Sequence, residues 1–127
     1  MKKIGELAYV IAIVDDDPRF RESLGNLLES AGHSVRLFDS ANEFLQAKAL
    51  TQVDALISDI RMPGVDGIEL QRRVGIIRPK LPVFLITACS DADPVADKQP
   101  NNRGLFRKPV AGAELLKAIG AALKGTA

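Results

Sequence analysis

Asp15, Asp16 and Asp17 follow the apolar run YVIAIV, Asp59 lies inside ALISDI, Thr87 follows PVFLI and Lys108 follows LFR. Each ends or interrupts a run short and apolar enough to be a buried strand. Carboxylates, a hydroxyl and an ammonium placed in this way belong together at the carboxyl edge of a parallel sheet, where open α/β sheets bind ligands. If Asp15, Asp16 and Asp59 are all ionised, they gather about three negative charges, which is unfavourable without a cation; hard oxygen ligands with room for water suit Mg²⁺. The Lys108 ammonium beside such an ion brings the local charge near zero, so a phosphoryl group can approach a carboxylate. Asp59, alone among apolar residues and held by its own strand, is the natural nucleophile, whereas Asp15 and Asp16 sit in a turn suited to metal ligation. Thr87 by its hydroxyl and Lys108 by its charge would bind phosphoryl oxygens.

For these residues to meet, strands and helices must alternate. Pro18 suits a first helical turn, and Phe20, Leu24, Leu27 and Ala31 recur at helical spacing up to Gly32. Asp17, just before Pro18, reads as the cap of that helix rather than as a metal ligand. HSVRLFD alternates Val35 and Leu37 with polar neighbours as a second strand, and Ser40 with Glu43 forms a capping box for a helix through Phe44, Leu45 and Ala49. ALISDI is the third strand. Gly64 and Gly67 punctuate a loop, without the further residues of a phosphate-cradling motif. Ile68, Val74 and Ile77 then mark a helix that Gly75 weakens and Pro79 ends. PVFLITA is a fourth strand and LFRKP a short fifth, before a helix striped by Leu115, Leu116, Ile119 and Leu123 and closed by Gly125. Between strands four and five, Asp93-Pro94 can open a helix, but Pro100 forbids its continuation, leaving a shortened or irregular fourth helix. The alternation predicts one domain over residues 1–127, a parallel sheet covered on both faces, with right-handed crossovers aligning the carboxyl ends of its strands.

Composition excludes several classes of function. Lys plus Arg number 17 against 16 Asp plus Glu, a formal net charge of +1, so the balance favours neither nucleic acid nor a membrane surface. One cysteine, Cys89, excludes an internal disulfide and reads as a small residue near the rim of the site. No apolar stretch approaches the roughly 20 residues that span a bilayer. The opening MKKIGELAYVIAIV has the basic-then-apolar order of a signal peptide, yet Asp15 to Asp17 follow directly with no small-residue cleavage pattern, so it reads as a first strand and a cytoplasmic location is expected. His33 reads as a surface residue of a helix-to-strand connection, and Arg72, Arg73, Arg78 and Lys80 as a solvated helix face.

Taken in order, Asp15-Asp16, Asp59 within D-I-R-M-P-G-V-D-G, Thr87 within I-T-A, and Lys108-Pro109 resemble the receiver domain of a two-component response regulator over nearly the whole chain. That resemblance implies a flavodoxin-like, five-stranded sheet of order 2-1-3-4-5. It also implies phosphoryl transfer from a phosphohistidine of a sensor histidine kinase or histidine phosphotransfer protein to Asp59, with Mg²⁺ held by Asp16, Asp59 and the backbone carbonyl of Arg61, and a cis Lys108-Pro109 bond. Leu105, three residues before Lys108, stands where the family usually carries an aromatic switch residue, and Phe106 is pointed to the opposite face by strand alternation. Such a domain is not an enzyme beyond the formation and loss of its own acyl phosphate, and its output partner is not named by these residues; no direct contact with nucleic acid or membrane is expected. Two other readings use the same residues: a constitutive binding module that keeps the fold without switching, and a Mg²⁺-dependent phosphohydrolase, which Asp15-Asp16-Asp17 satisfies as D-x-D but for which 127 residues leave no cap.

Overall fold

The computed structural model describes residues 9–88 and 99–125. The apolar runs become β1 (Val10–Val14), β2 (Ser34–Phe38), β3 (Ala55–Asp59), β4 (Val83–Thr87) and β5 (Asn102–Arg107). They pair in parallel in the order β2-β1-β3-β4-β5. Every residue of β3 and β4 is buried, as continuous apolar strands between two layers must be. Val14 of β1 stands opposite Ser58 of β3. Asp15 and Asp59, one residue further along each strand, therefore leave the sheet at the same level.

The strands alternate between two cores. On one face, Ile11, Ile13, Ile57, Phe84 and Ile86 pack with Leu24 and Leu28 of α1 (Pro18–Ser30) and with Leu115, Ile119 and Leu123 of the last helix, Gly112–Gly125. On the other, Ala12, Val14, Leu56 and Leu85 pack with Phe44 of α2 (Ala41–Gln46) and with Leu70 and Val74 of α3 (Gly67–Ile77). Leu105 joins this second core and Phe106 the first, as alternation requires. The helix starts are fixed locally. Asp17 accepts hydrogen bonds from the N–H groups of Arg19 and Phe20 at 3.0 and 3.4 Å, and Asp66 accepts one from Glu69 at 2.9 Å. Ser40 Oγ accepts from Glu43 N–H at 3.0 Å, while Glu43 Oε1 closes the box one residue early by accepting from Asp39 N–H at 3.0 Å.

Several boundaries differ from the sequence reading. The second helix ends at Gln46; Lys48 takes a φ of 55°, and Ala49–Thr51 form a separate 3₁₀ turn that returns Ala49 and Leu50 to the core. β5 begins at Asn102 rather than Leu105 and stops before Lys108, whose bond to Pro109 is cis. Leu37 and Ile77, expected to face inward, are 43% and 63% exposed, because β2 is an edge strand and Ile77 lies in the last turn of α3. The basic run is not a uniformly solvated face: Arg78 donates to the carbonyls of Leu50 and Val53, both at 2.6 Å, clamping the chain before β3 onto the end of α3. Arg72 and Arg73 converge on half-buried Glu69 and hold its carboxyl down to about 2. His33 is half-buried, its Nδ1 accepting the Tyr9 N–H at 3.3 Å. Cys89 and the expected short helix after Pro94 fall on residues 89–98, outside the described ones.

Candidate functional site

The carboxyl ends of β1, β3, β4 and β5 converge on one charged cluster. Asp15 is 1% exposed and held by its own backbone: its N–H donates to Phe38 O at 3.1 Å, and its carbonyl accepts Arg21 Nη1 at 2.6 Å. Its Oδ1 accepts the Asp17 N–H at 2.9 Å, which tightens the turn into α1. Asp59 closes β3 at 7% exposure, and the chain after it is pinned by Ile60 N–H to Ile86 O at 2.8 Å and Gly67 N–H to Ile60 O at 2.9 Å. That second contact requires glycine: a Cβ on Gly67 would stand 2.2 Å from the Asp59 carbonyl oxygen. Arg61 N–H reaches Asp59 Oδ1 at 3.4 Å.

Lys108 reaches the acids from the far side. Its N–H donates to Thr87 O at 2.9 Å, so β4 sets the level at which its side chain leaves, and Nζ lies 3.2 Å from Asp15 Oδ2 and 3.4 Å from Asp59 Oδ2. Thr87 is buried at the end of β4. Asp16 is exposed, yet one oxygen from each of Asp15, Asp16 and Asp59 falls within 4.8 Å of the others. Three clustered carboxylates, two of them in contact with one ammonium, leave an excess of negative charge, and their all-oxygen donor set suits a hard divalent cation. The charge balance shows in Asp59: burial and then the Asp15 charge raise its carboxyl above its ordinary range, against the opposing pull of Lys108. For Lys108, burial pushes downward, but the charges of Asp15 and Asp59 together win and the ammonium is held more firmly protonated.

An acidic cluster and a lysine on these four strand ends of a 2-1-3-4-5 sheet can be set beside known proteins. Residues 11–120 match the response regulator receiver domain family. The chain belongs to that family. Over 126 residues it is 36% identical to the response regulator protein TodT of Pseudomonas putida, covering 98% of this receiver and 55% of TodT. It is 43% identical over 81 residues to the transcriptional regulatory protein FixJ of Bradyrhizobium diazoefficiens, covering 64% of the receiver and 40% of FixJ. The chain thus spans about half the length of these curated relatives, or less. Among solved structures, the response regulator StyR superposes with a TM-score of 0.83 at 38% identity, over 92% of this receiver and 60% of StyR. A receiver domain protein from Clostridium thermocellum superposes with a TM-score of 0.83 at 27% identity, over 91% of this chain and 94% of that one.

The receiver brings together the residues singled out in the sequence, Asp15, Asp16, Asp59 and Lys108, with Thr87 joined through its backbone and Arg61 through its N–H. Asp17 stands apart as the helix cap. Two contributors were not legible in advance. Arg21 supports the Asp15 carbonyl from one turn into α1, and Phe20, counted as core by its spacing, sets its ring against Lys108. Helical periodicity marks which residues face inward, and it is silent on which of those lie next to a strand end.

Proposed function

We propose that this receiver accepts a phosphoryl group on Asp59 from the phosphohistidine of a sensor histidine kinase or histidine phosphotransfer protein, and that the modification changes which protein or output domain it binds. The observation that carries this reading is the sharing of Lys108 Nζ between Asp15 and Asp59, at 3.2 and 3.4 Å, on the edge where the acids cluster. Asp59 is the carboxylate to attack. It ends a fully buried strand, so its direction is fixed, and its raised pKa marks a carboxylate poorly solvated and correspondingly reactive once ionised. An oxygen of Asp59 forms the bond to phosphorus as the bond from phosphorus to the imidazole nitrogen breaks, and the electron pair leaves with the histidine.

Lys108 then has a phosphoryl oxygen to bind in place of Asp59 Oδ2, and Thr87 offers its hydroxyl to another. Asp15, Asp16 and Asp59, with the Arg61 carbonyl, would hold Mg²⁺. When bound, that ion offsets the charge of the carboxylates and of the transferring group. The receiver turns over no other substrate, works in the cytoplasm as a unit spanning residues 1–127, and touches neither nucleic acid nor membrane itself; its near-neutral charge supports the last point. The phosphohydrolase reading is disfavoured by Asp17, whose carboxylate is engaged in capping α1. Incubation with Mg²⁺ and acetyl phosphate, followed by intact mass, should show one added phosphoryl group that Asp59→Asn abolishes. Equal labelling of that variant would reassign the acceptor, and an unlabelled native protein would favour a constitutive binding module.

A further inference from the structure

Phe20 lies in the first turn of α1, and Lys108 Nζ sits 4.2 Å from the centre of its ring. The ammonium carries three N–H donors. Two carboxylate oxygens approach it, from Asp15 and Asp59, and the aromatic face covers another side. A ring face attracts a cation without offering a lone pair, so it holds the charge in place while leaving the directed donors free for oxygens. A water molecule or a hydroxyl in that position would instead compete for a proton. The ring and Lys108 both line a groove of about 670 Å³, with Ser23, Leu24, Pro109 and Gly112, and a lysine on a flexible four-carbon stem beside such a space could otherwise swing deeper into it, away from the acids.

We infer that Phe20 is a positioning residue for phosphoryl transfer: its ring keeps the Lys108 ammonium over Asp59, so that Lys108 passes from an acceptor oxygen to a phosphoryl oxygen without leaving the site. This rests on the function proposed above. Leucine and methionine keep the apolar bulk of the side chain and remove the ring face, whereas tyrosine keeps both. The Lys108 ε-methylene protons, on the carbon bonded to the Nζ that lies over the ring, should resonate upfield in the native protein and in Phe20→Tyr, and return to ordinary positions in Phe20→Leu and Phe20→Met. With Mg²⁺ and acetyl phosphate, the phosphorylation rate constant should fall roughly three- to ten-fold in the two ringless variants and stay near native in Phe20→Tyr. A structural role alone would move rate and melting temperature together and leave no distinction by ring. Native labelling with unchanged rates in the ringless variants, an equal fall in Phe20→Tyr, or the absence of the upfield shift in the native protein would overturn this inference and leave Asp59 as the acceptor. No labelling of the native protein would overturn both.

Discussion

Asp59 is a carboxylate that the fold makes costly to ionise, and that cost sets a sign that can be measured. Burial and the neighbouring Asp15 raise its pKa above an ordinary value near 3.8, and Lys108 offsets them only in part. A raised folded-state pKa favours the neutral acid in the native protein. Its stabilisation is therefore complete below pH 3.8 and is lost as pH rises through the folded value, so the charged group costs stability at neutral pH. In chelator at pH 7, Asp59→Asn should raise the melting temperature by roughly 2–5 °C. The gain should disappear below about pH 4, where the native carboxyl is protonated in both states. A fall in melting temperature at pH 7 would mean that the contact with Lys108 outweighs burial and repulsion.

At the scale of elements, the site depends on how closely the loop after β3 folds back. Gly67 opens α3 against the Asp59 carbonyl, and a methyl group there must displace either the helix or the strand that carries Asp59. Gly67→Ala should cost about 2–4 kcal/mol, read as a lower urea midpoint with an unchanged slope. An unchanged midpoint would show that the loop has room the geometry does not allow. β3 and β4 were legible because a strand buried on both faces reads as an apolar run that turns polar only near its end, at Ser58-Asp59 in one and at Thr87 in the other. β5 was legible only in its second half. Its opening residues Asn102 and Arg103 are polar, and an edge strand tolerates them. The end of α2 was missed because Lys48, with no turn signal in its side chain, takes the left-handed conformation that usually marks a glycine.

For the whole molecule, alternation of strand and helix sufficed to predict the layers and the edge where the polar residues meet, while the 2-1-3-4-5 order came from the resemblance of motifs taken together. What neither could supply is contact between distant segments. Asn101 is 1% exposed, and its Nδ2 donates to the Gln71 carbonyl at 3.1 Å, tying α3 to the start of β5; Gln71 Nε2 donates to Asn102 Oδ1 at 3.3 Å. Gly75 looked like a weak point of the helix, yet a Cβ there would stand 3.1 Å from Asn101 Nδ2, so its absence makes room for that tie. Among the described residues, no helix is long and apolar enough to cross a membrane. The proposed function centres on one carboxylate, Asp59, and the direct test is to locate the phosphoryl group on the chain. Borohydride reduces an acyl phosphate to an alcohol and spares free carboxylates, so brief treatment of the protein after exposure to Mg²⁺ and acetyl phosphate, then peptide mass mapping, marks the acceptor. The account predicts reduction at position 59 alone; reduction at Asp15 or Asp16, or none at any carboxylate, would contradict it.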